Sequence, residues 1–452
     1  MSKTVVINLP SGLQQMVEAI SNVGGKAMLV GGGVIDSLQG REVKDWDVEV
    51  FGLSYSQLYK LLRPIEKPNL IGKAFGIINI RYGGISYDFS IPRKENRVGV
   101  GHKDFDIQLC PDITPEEAGK RRDITINSMY VNLHTMELVD PFGGLADLEA
   151  GIIRATNAET FVEDPLRVLR IMQLLPRKGK TVDHATVNLC YNIHSFFDTL
   201  PKERVFEEFE KLLMKASLPS RGLEFLADCG WAVYFPEIND LILCQQNPKH
   251  HPEGNVWRHT MLAVDYAAGM KKYLPEEWQL AYMFGVLLHD VGKPSTTDIL
   301  TLTAHGHDVV GVEIAERFMR RITNETHLIE RVKLIVGLHM RVNQLHRAES
   351  GIPAWKRLHN KCRLDVLGHV QLVDHCASGR DMKDDRSWSY ALACFKVFGD
   401  TKIPPIVMGR HLIDKGLQPG KEFKVLLDKA YEIQIETGST DVEWLLSQIL
   451  ER

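Results

Sequence analysis

Two aspartates spaced two apart, in Lys44-Asp45-Trp46-Asp47-Val48-Glu49-Val50, follow closely on the glycine run Gly31-Gly32-Gly33. On a β-strand, residues two apart share one face, so Asp45 and Asp47 would aim two carboxylates at one point. Such oxygens suit Mg²⁺, which binds through one or two carboxylates together with substrate phosphates. A glycine turn upstream lets backbone N–H groups approach a phosphate closely. The apolar stretch Ala27-Met28-Leu29-Val30 before the glycines, and Val34 to Leu38 after them, predict a strand, a tight turn, a helix and then an acidic strand. An Asp-x-Asp on an arbitrary strand is usually a solvated face. The glycine turn ahead of it shifts the reading toward a metal and triphosphate site, the equipment of nucleotidyl transfer.

A second constellation lies in the C-terminal half: His259, the doublet His289-Asp290, His305, His307, His339 and Asp374. His259 falls early in an apolar-periodic helix, and His289-Asp290 closes the helical run Leu280 to Leu288. Imidazole nitrogens with carboxylate oxygens suit Zn²⁺, Mn²⁺, Fe²⁺ or Ni²⁺ and leave positions open for water. Water on such an ion has a lowered pKa and attacks phosphoesters. A lone histidine on an apolar helix is more often a satisfied core residue. A His-Asp doublet closing one, with further His and Asp in flanking helices, favours a metal site.

These residues need a framework, and composition bounds it. The chain has 452 residues, 44% hydrophobic and 25% charged, as expected of a globular protein with two to four domains. No uninterrupted apolar run is long enough to span a bilayer. The first residues, Met1 to Ile7, carry no signal-peptide pattern, so a cytoplasmic protein is expected. The seven cysteines form no C-x-x-C pair, which argues against a zinc ribbon or a disulfide framework. A formal net charge of −4 means that nucleic-acid binding would need positive charge gathered on one face.

Residues from about 25 to 140 read as short strands and turns. Ile77 to Tyr82, Gly83-Gly84 and Ile85 to Ser90 predict a hairpin, with Asp88 on its second strand. Asp88 either brings a third carboxylate to Asp45 and Asp47 or caps a strand end. Arg93 to Gly101 is charged and glycine-bearing and reads as a mobile loop. From about residue 163 the periodicity is helical. Pro165 sits in the first turn of a helix, with Glu163 and Asp164 near its positive end. Arg204 to Met214 is amphipathic, Pro219-Ser220-Arg221 opens another helix, and Gln245 to His251 reads as a linker. The class is α+β: a small α/β head followed by a long all-helical remainder.

The motifs resemble those of bacterial class II tRNA nucleotidyltransferases, the CCA-adding enzyme and poly(A) polymerase family, with a C-terminal HD domain. Leu29 to Asp36 through Lys44-Asp45-Trp46-Asp47 is similar to the family's first motif. Gly72-Lys73-Ala74-Phe75-Gly76 and Asp88 fit the following strands, with Gly72 to Gly76 resembling the CCA-adding rather than the poly(A) form. Arg121-Arg122-Asp123-Ile124-Thr125-Ile126-Asn127 matches R-R-D-x-T-I-N, Asp140-Pro141-Phe142-Gly143-Gly144 follows, and Glu163-Asp164-Pro165-Leu166-Arg167 matches E-D-x-x-R. Gly416 to Gly420 resembles a short motif of the HD-bearing members.

The resemblance implies a DNA polymerase beta-like head over residues 1–145 and a helical nucleotide-selecting and neck region over 146–245. An HD phosphohydrolase domain over 246–380 and a helical tail over 381–452 would follow. It implies that Asp45 and Asp47, with Asp88, are catalytic and hold Mg²⁺, and that Gly32 contacts nucleotide phosphates. Arg122 and Arg170 would bind nucleotide, Asp123 and Asn127 would orient the sugar, and Glu163, Asp164 and Arg167 would select C or A at the base edge. His259, His289, Asp290 and Asp374 would hold a divalent transition metal, with His305, His307 and His339 as secondary ligands or phosphate contacts. Partners would be tRNA, CTP and ATP. Two departures stand out. Where the family's first motif has V-R-D this chain has Val34-Ile35-Asp36, and Gln173 replaces an arginine one turn after Arg170. Arginine's bidentate fork is replaced by neither isoleucine nor glutamine. Three functions therefore stand together: CCA addition with HD hydrolysis, A-only or poly(A) addition, and a phosphohydrolase with a degenerate nucleotide-binding head.

Overall fold

The computed structural model describes residues 3–69, 76–97, 105–400 and 402–450. Contacts divide the chain into two compact units, Met1–Ala216 with Arg221–Tyr234, and Ser217–Ser220 with Phe235–Arg452. The first is built on a six-stranded mixed sheet. Its strands are β1 (Lys26–Val30), β2 (Trp46–Phe51), β3 (Ile77–Tyr82), β4 (Ile85–Ser90), and, after a separate hairpin of β5 (Arg93–Arg97) and β6 (Phe105–Leu109), β7 (Tyr130–Asn132) and β8 (Leu138–Val139). The order across the sheet is β3-β4-β2-β1-β7-β8, with β2 and β4 parallel and the other pairs antiparallel. The strand alternation is broken at Glu49, which is buried although it shares a strand face with Asp47. Val48, Val50, Ile78, Ile80 and Phe89 are fully buried, while Asp47 and Asp88 point outward.

The hairpin expected around Gly83-Gly84 forms, and its register pairs Asn79 with Asp88. The reading of Arg93 to Gly101 as a mobile loop is corrected over its described part, because residues 93–97 are strand β5. Charged and polar residues concealed a separate hairpin whose pairing partners lie 8 residues away at Arg97 with Phe105 and 16 away at Arg93 with Leu109. Residues 98–101 lie outside the described residues, as do 72–75 of the segment Gly72 to Gly76.

Helix α1 (Ser11–Asn22) covers one side of the sheet, and α2 (Gly32–Leu38) begins at the end of β1. Between them and the site stands Gly31, with φ 65° and ψ −133°, a backbone conformation that side chains rarely adopt. It turns the chain so tightly that a Cβ on Gly31 would lie 3.9 Å from the Asp47 carboxylate. The rest of the first unit is mainly helical, with one short parallel strand pair of Ile152–Ile153 and Thr181–Val182, and includes α3 (Leu166–Lys178), α4 (Lys202–Lys215) and α5 (Ser220–Asp228). Pro165 is the residue before the first turn of α3, as its fixed φ favours.

The second unit is helical. Helix α6 (Val256–Met270), α7 (Glu276–Leu288), α8 (His307–Ile322), α9 (Thr326–Leu338) and α10 (Leu364–Ala377) frame it. At the centre lies α7, whose residues 282–284 and 286–288 are wholly buried. A helix apolar all round must be covered on every side, and α6, α9 and α10 pack against it. At the end of α7 the chain turns through Val291-Gly292, where a Cβ on Gly292 would collide with the carbonyl of His307. That close approach brings the start of α8 against the His289-Asp290 doublet. Further on, α11 (Gly409–Asp414), α12 (Lys421–Thr437) and α13 (Val442–Leu450) enclose a small core of Val407, Leu412, Ala430, Leu445, Leu446 and Ile449. The Gly416 to Gly420 motif turns between α11 and α12.

Candidate functional site

In the first unit, parallel pairing sets Asp47 directly beside Asp88. Asp88 accepts a hydrogen bond from Asn79 Nδ2 at 2.6 Å. Burial, then the neighbouring charges of Asp88 and Asp45, raise the pKa of Asp47 despite the opposing pull of Arg122. A carboxylate whose ionisation is disfavoured by two acidic neighbours suits a hard divalent cation. The grouping is looser than a closed cage. Among the described residues, every cluster of three or more His, Cys, Asp or Glu with ligand atoms within 4.8 Å of one another lies in the second unit.

Asp47 opens onto a cleft of about 410 Å³ lined by Gly31, Gly32, Arg122, Asp123, Asn127, Asp164, Arg167 and Arg170, and also by Arg93, Arg121 and Arg204. Asp45 and Glu163 lie off this lining; Asp45 is exposed and Glu163 half-buried. Beneath the cleft, Glu49 is fully buried and grips Arg121 at 2.8 Å and Arg122 at 3.1 Å. Burial alone would raise the Glu49 pKa, and the two guanidinium groups overcome it and hold it below 4.5. Arg122 also stacks over the Tyr130 ring at 5.3 Å. Asp123 accepts from Arg170 at 2.7 Å and from Asn127 Nδ2 at 3.0 Å, and the charge of Arg170 outweighs burial to keep it ionised. Arg167 is buried and donates to the carbonyls of Thr160 at 2.6 Å and Arg121 at 2.5 Å. In this arrangement its terminal nitrogens brace the E-D-x-x-R turn against the R-R-D turn. Neither departure from the expected arginines faces the cleft: Ile35 is 0% exposed, and Gln173 is 5% exposed and accepts from Arg177.

The second unit gathers its histidines tightly. His259 from α6, His289 after α7 and Asp374 from α10 form one triad, and Asp290, His307 and His339 form a second. Asp290 stands between them. Its Oδ2 lies 3.3 Å from His289 Nε2 and 3.8 Å from His259 Nε2, while its Oδ1 lies 3.4 Å from His307 Nε2 and 3.9 Å from His339 Nε2. His289, His307 and His339 direct Nδ1 to the carbonyls of Val286, Ala304 and Val336 at 2.7, 2.8 and 2.7 Å. Carbonyls only accept, so each Nδ1 donates its proton there and each Nε2 is directed inward, those of His307 and His339 lying 3.2 Å apart. The buried Nε2 atoms of His259 and His289 face carboxylates without hydrogen-bond geometry. That donor set fits a divalent transition metal. His339 is pushed down to about 4, by burial first and then by His289. His305 is exposed on the wall of the adjoining cavity and joins neither triad.

Several participants escape the sequence reading. Glu49 was legible in principle, since Asp45, Asp47 and Glu49 share one strand face, but nothing in the pattern said that two arginines would cover it. Glu253 accepts from His259 Nδ1 at 2.6 Å and His251 Nδ1 at 2.9 Å. Those bonds overcome burial and hold Glu253 down at about 2. Lys293 pairs with Asp290 at 2.6 Å and donates to Gln246. The segment read as a linker, Gln245 to His251, is irregular and forms one wall of the cavity beside the triads.

The poly A polymerase head domain family matches residues 27–154, the family described as a probable RNA and SrmB-binding site of polymerase A matches 181–242, and the HD domain matches 256–378. The multifunctional CCA protein of Neisseria meningitidis serogroup A is 33% identical over 326 residues, covering 71% of this chain and 74% of that protein. That of Nitrosospira multiformis is 33% identical over 327 residues, covering 72% and 74%. The fold matches the Bacillus stearothermophilus CCA-adding enzyme in complex with CTP, with a TM-score of 0.68 at 18% identity over 97% of this chain and 98% of that one. The Thermotoga maritima CCA-adding enzyme complexed with tRNA_CCA gives 0.62 at 17%, over 100% and 98%. Motifs, metal-suited clusters and these matches agree: the chain belongs to the multifunctional CCA protein family, nucleotidyltransferases that depend on divalent metal and carry an HD domain.

Proposed function

We propose that this protein adds C, C and A to tRNA 3′ ends from CTP and ATP without a nucleic-acid template, and that its HD region is a metal-dependent phosphohydrolase. The observation that carries the first part is the outward pair Asp47 and Asp88, set beside Gly31 and Gly32 at the edge of an arginine-lined cleft. Asp45, Asp47 and Asp88 would hold Mg²⁺, which when bound neutralises triphosphate charge and favours attack by the RNA 3′-hydroxyl. Backbone N–H groups at Gly31 and Gly32 meet phosphate oxygens, and Arg122, held by Glu49, presents fixed positive charge to them. Asp123, Asn127 and Arg170 form one hydrogen-bonded unit against the sugar. Asp164, braced by Arg167 from behind, reads the base edge, where a wrong base leaves buried polar groups unpaired.

In the HD region, His259, His289, Asp290 and Asp374 would hold Ni²⁺, Mn²⁺, Fe²⁺ or Zn²⁺, and Asp290, His307 and His339 would hold a second ion. Such ions supply Lewis acidity toward a phosphoester at neutral pH. Lys293 and the cavity wall of Gln246 and His251 are placed to receive phosphate oxygens. Substrates would be 2′,3′-cyclic phosphates or 2′-nucleotides. Seven free cysteines and a tRNA substrate point to the cytoplasm. No helix among the described residues is long and apolar enough to cross a membrane.

The degenerate-head reading draws on Ile35 and Gln173, which present no arginine to the cleft. One assay separates the alternatives: incubation with tRNA lacking its 3′ end, Mg²⁺ and each labelled nucleotide, followed by sequencing of product ends. C-C-A ends support the proposal, and A-only tails replace it with poly(A)-type addition. No incorporation, with metal-dependent hydrolysis intact, supports the degenerate head.

A further inference from the structure

The nucleotide cleft holds arginines in two different states. Arg121 and Arg122 are clamped by fully buried Glu49, and Arg170 by buried Asp123. Arg167 is committed to two backbone carbonyls. Their charge is fixed, and much of it is already compensated. Arg204 is held otherwise. It enters the cleft from helix α4 in the RNA-binding region, and its side chain is 41% exposed. It pairs with Glu207 one turn along the same helix, at 3.2 Å, and Glu207 is itself 44% exposed. An exposed pair of this kind is worth little and exchanges readily for a better anion. The Arg204 Nε is buried and has no hydrogen-bond partner, a feature it shares with the Nε of Arg122, so what sets Arg204 apart is its weak exposed partner. Meanwhile the two positions where the family's motifs carry arginine are closed off, Ile35 in the core and Gln173 under Arg177.

We infer that Arg204 is a nucleotide-contacting residue of this protein, taking the triphosphate of the incoming nucleotide. This rests on the nucleotidyltransferase reading above. A guanidinium fork matches phosphate oxygens in a bidentate way that neither the ammonium of lysine nor a neutral side chain reproduces. Because the fork swings from Glu207 to the triphosphate, the contact is made only when nucleotide is present.

The test is equilibrium binding of labelled CTP and CMP with Mg²⁺ and no RNA, on the full chain. Arg204→Ala is expected to weaken CTP by about 10- to 100-fold and CMP by much less, with an unchanged melting temperature. Arg204→Lys falls between. Glu207→Gln, which frees the fork, binds CTP as tightly as the natural protein or more tightly. CTP affinity within twofold of the natural protein in Arg204→Ala overturns the inference. So does an equal loss for CTP and CMP, which would place the contact on base or sugar. Equal weakening by Glu207→Gln marks the pair as structural and also overturns it. If the unaltered protein incorporates no nucleotide into tRNA, it is the functional reading that fails.

Discussion

Replacing Glu49 with glutamine removes the charge that two guanidinium groups share beneath the nucleotide cleft. Glu49 is 0% exposed, and the side chains of Arg121 and Arg122 are only 22% and 16% exposed. Stripping one partner from a buried ion pair costs about 3–5 kcal/mol, because the remaining charge is left uncompensated. The arginines keep a partial route to the cleft, so the lower end, about 3 kcal/mol, is the expected loss. For a unit of this size that lowers the melting midpoint by roughly 6–12 °C. The pH dependence has a defined sign. The folded-state pKa of Glu49 lies below its ordinary 4.5, so its contribution is complete above that pH and disappears as pH falls through the lower folded value. Thermal melts of the natural protein and Glu49→Gln should therefore differ most at neutral pH and converge in acid. Calorimetry from pH 3 to 8 reads this directly. A shift below about 2 °C at pH 7, or a difference that grows in acid, would refute the account of Glu49 as the charged floor of the site.

Asp45→Ala combined with Asp47→Ala should abolish nucleotide incorporation while HD-dependent phosphoester hydrolysis persists; a double variant that still extends RNA sinks the head metal assignment. Glu253→Gln should weaken transition-metal binding, measured by chelator competition, by about 10- to 100-fold, because His259 loses the carboxylate that orients its ring. Affinity within twofold of the natural protein would make Glu253 incidental. His307→Ala should lower bound Mn²⁺, read by elemental analysis, by one equivalent while leaving the ion at His259, His289 and Asp374. An unchanged metal content would reduce the second triad to hydrogen bonding around Asp290.

The two metal-suited regions sit on different scaffolds, and their chemistry follows from that. Two neighbouring interior strands set Asp47 and Asp88 side by side on an open face of the sheet, which leaves them without a closed ligand cage. Helix ends instead bring imidazoles from α6, α7, α8 and α9 to one buried point, each ring locked by its own bond to a carbonyl or carboxylate. A loose, hard-donor site suits transient binding with a triphosphate. The closed, nitrogen-rich site suits a resident ion.

Local rules were enough to read the order strand, glycine turn, helix and acidic strand, the Gly83-Gly84 hairpin, and the helix opening at Pro165. Period and turn chemistry are written in neighbouring residues, and so were the residue types of both clusters. What no neighbouring residue encodes is which partner crosses from elsewhere. Glu49 drew no reading from its neighbours, and its partners Arg121 and Arg122 lie more than seventy positions on. Asp290 read as one ligand among several until folding turned its two oxygens toward different triads. Residues 93–97 read as loop because their strand partner lay beyond the window of any local pattern. Charge pairing and burial are settled by non-local packing, which is why the residue types of both candidate sites were legible in the chain and their arrangement as clamp or bridge emerged only from the fold.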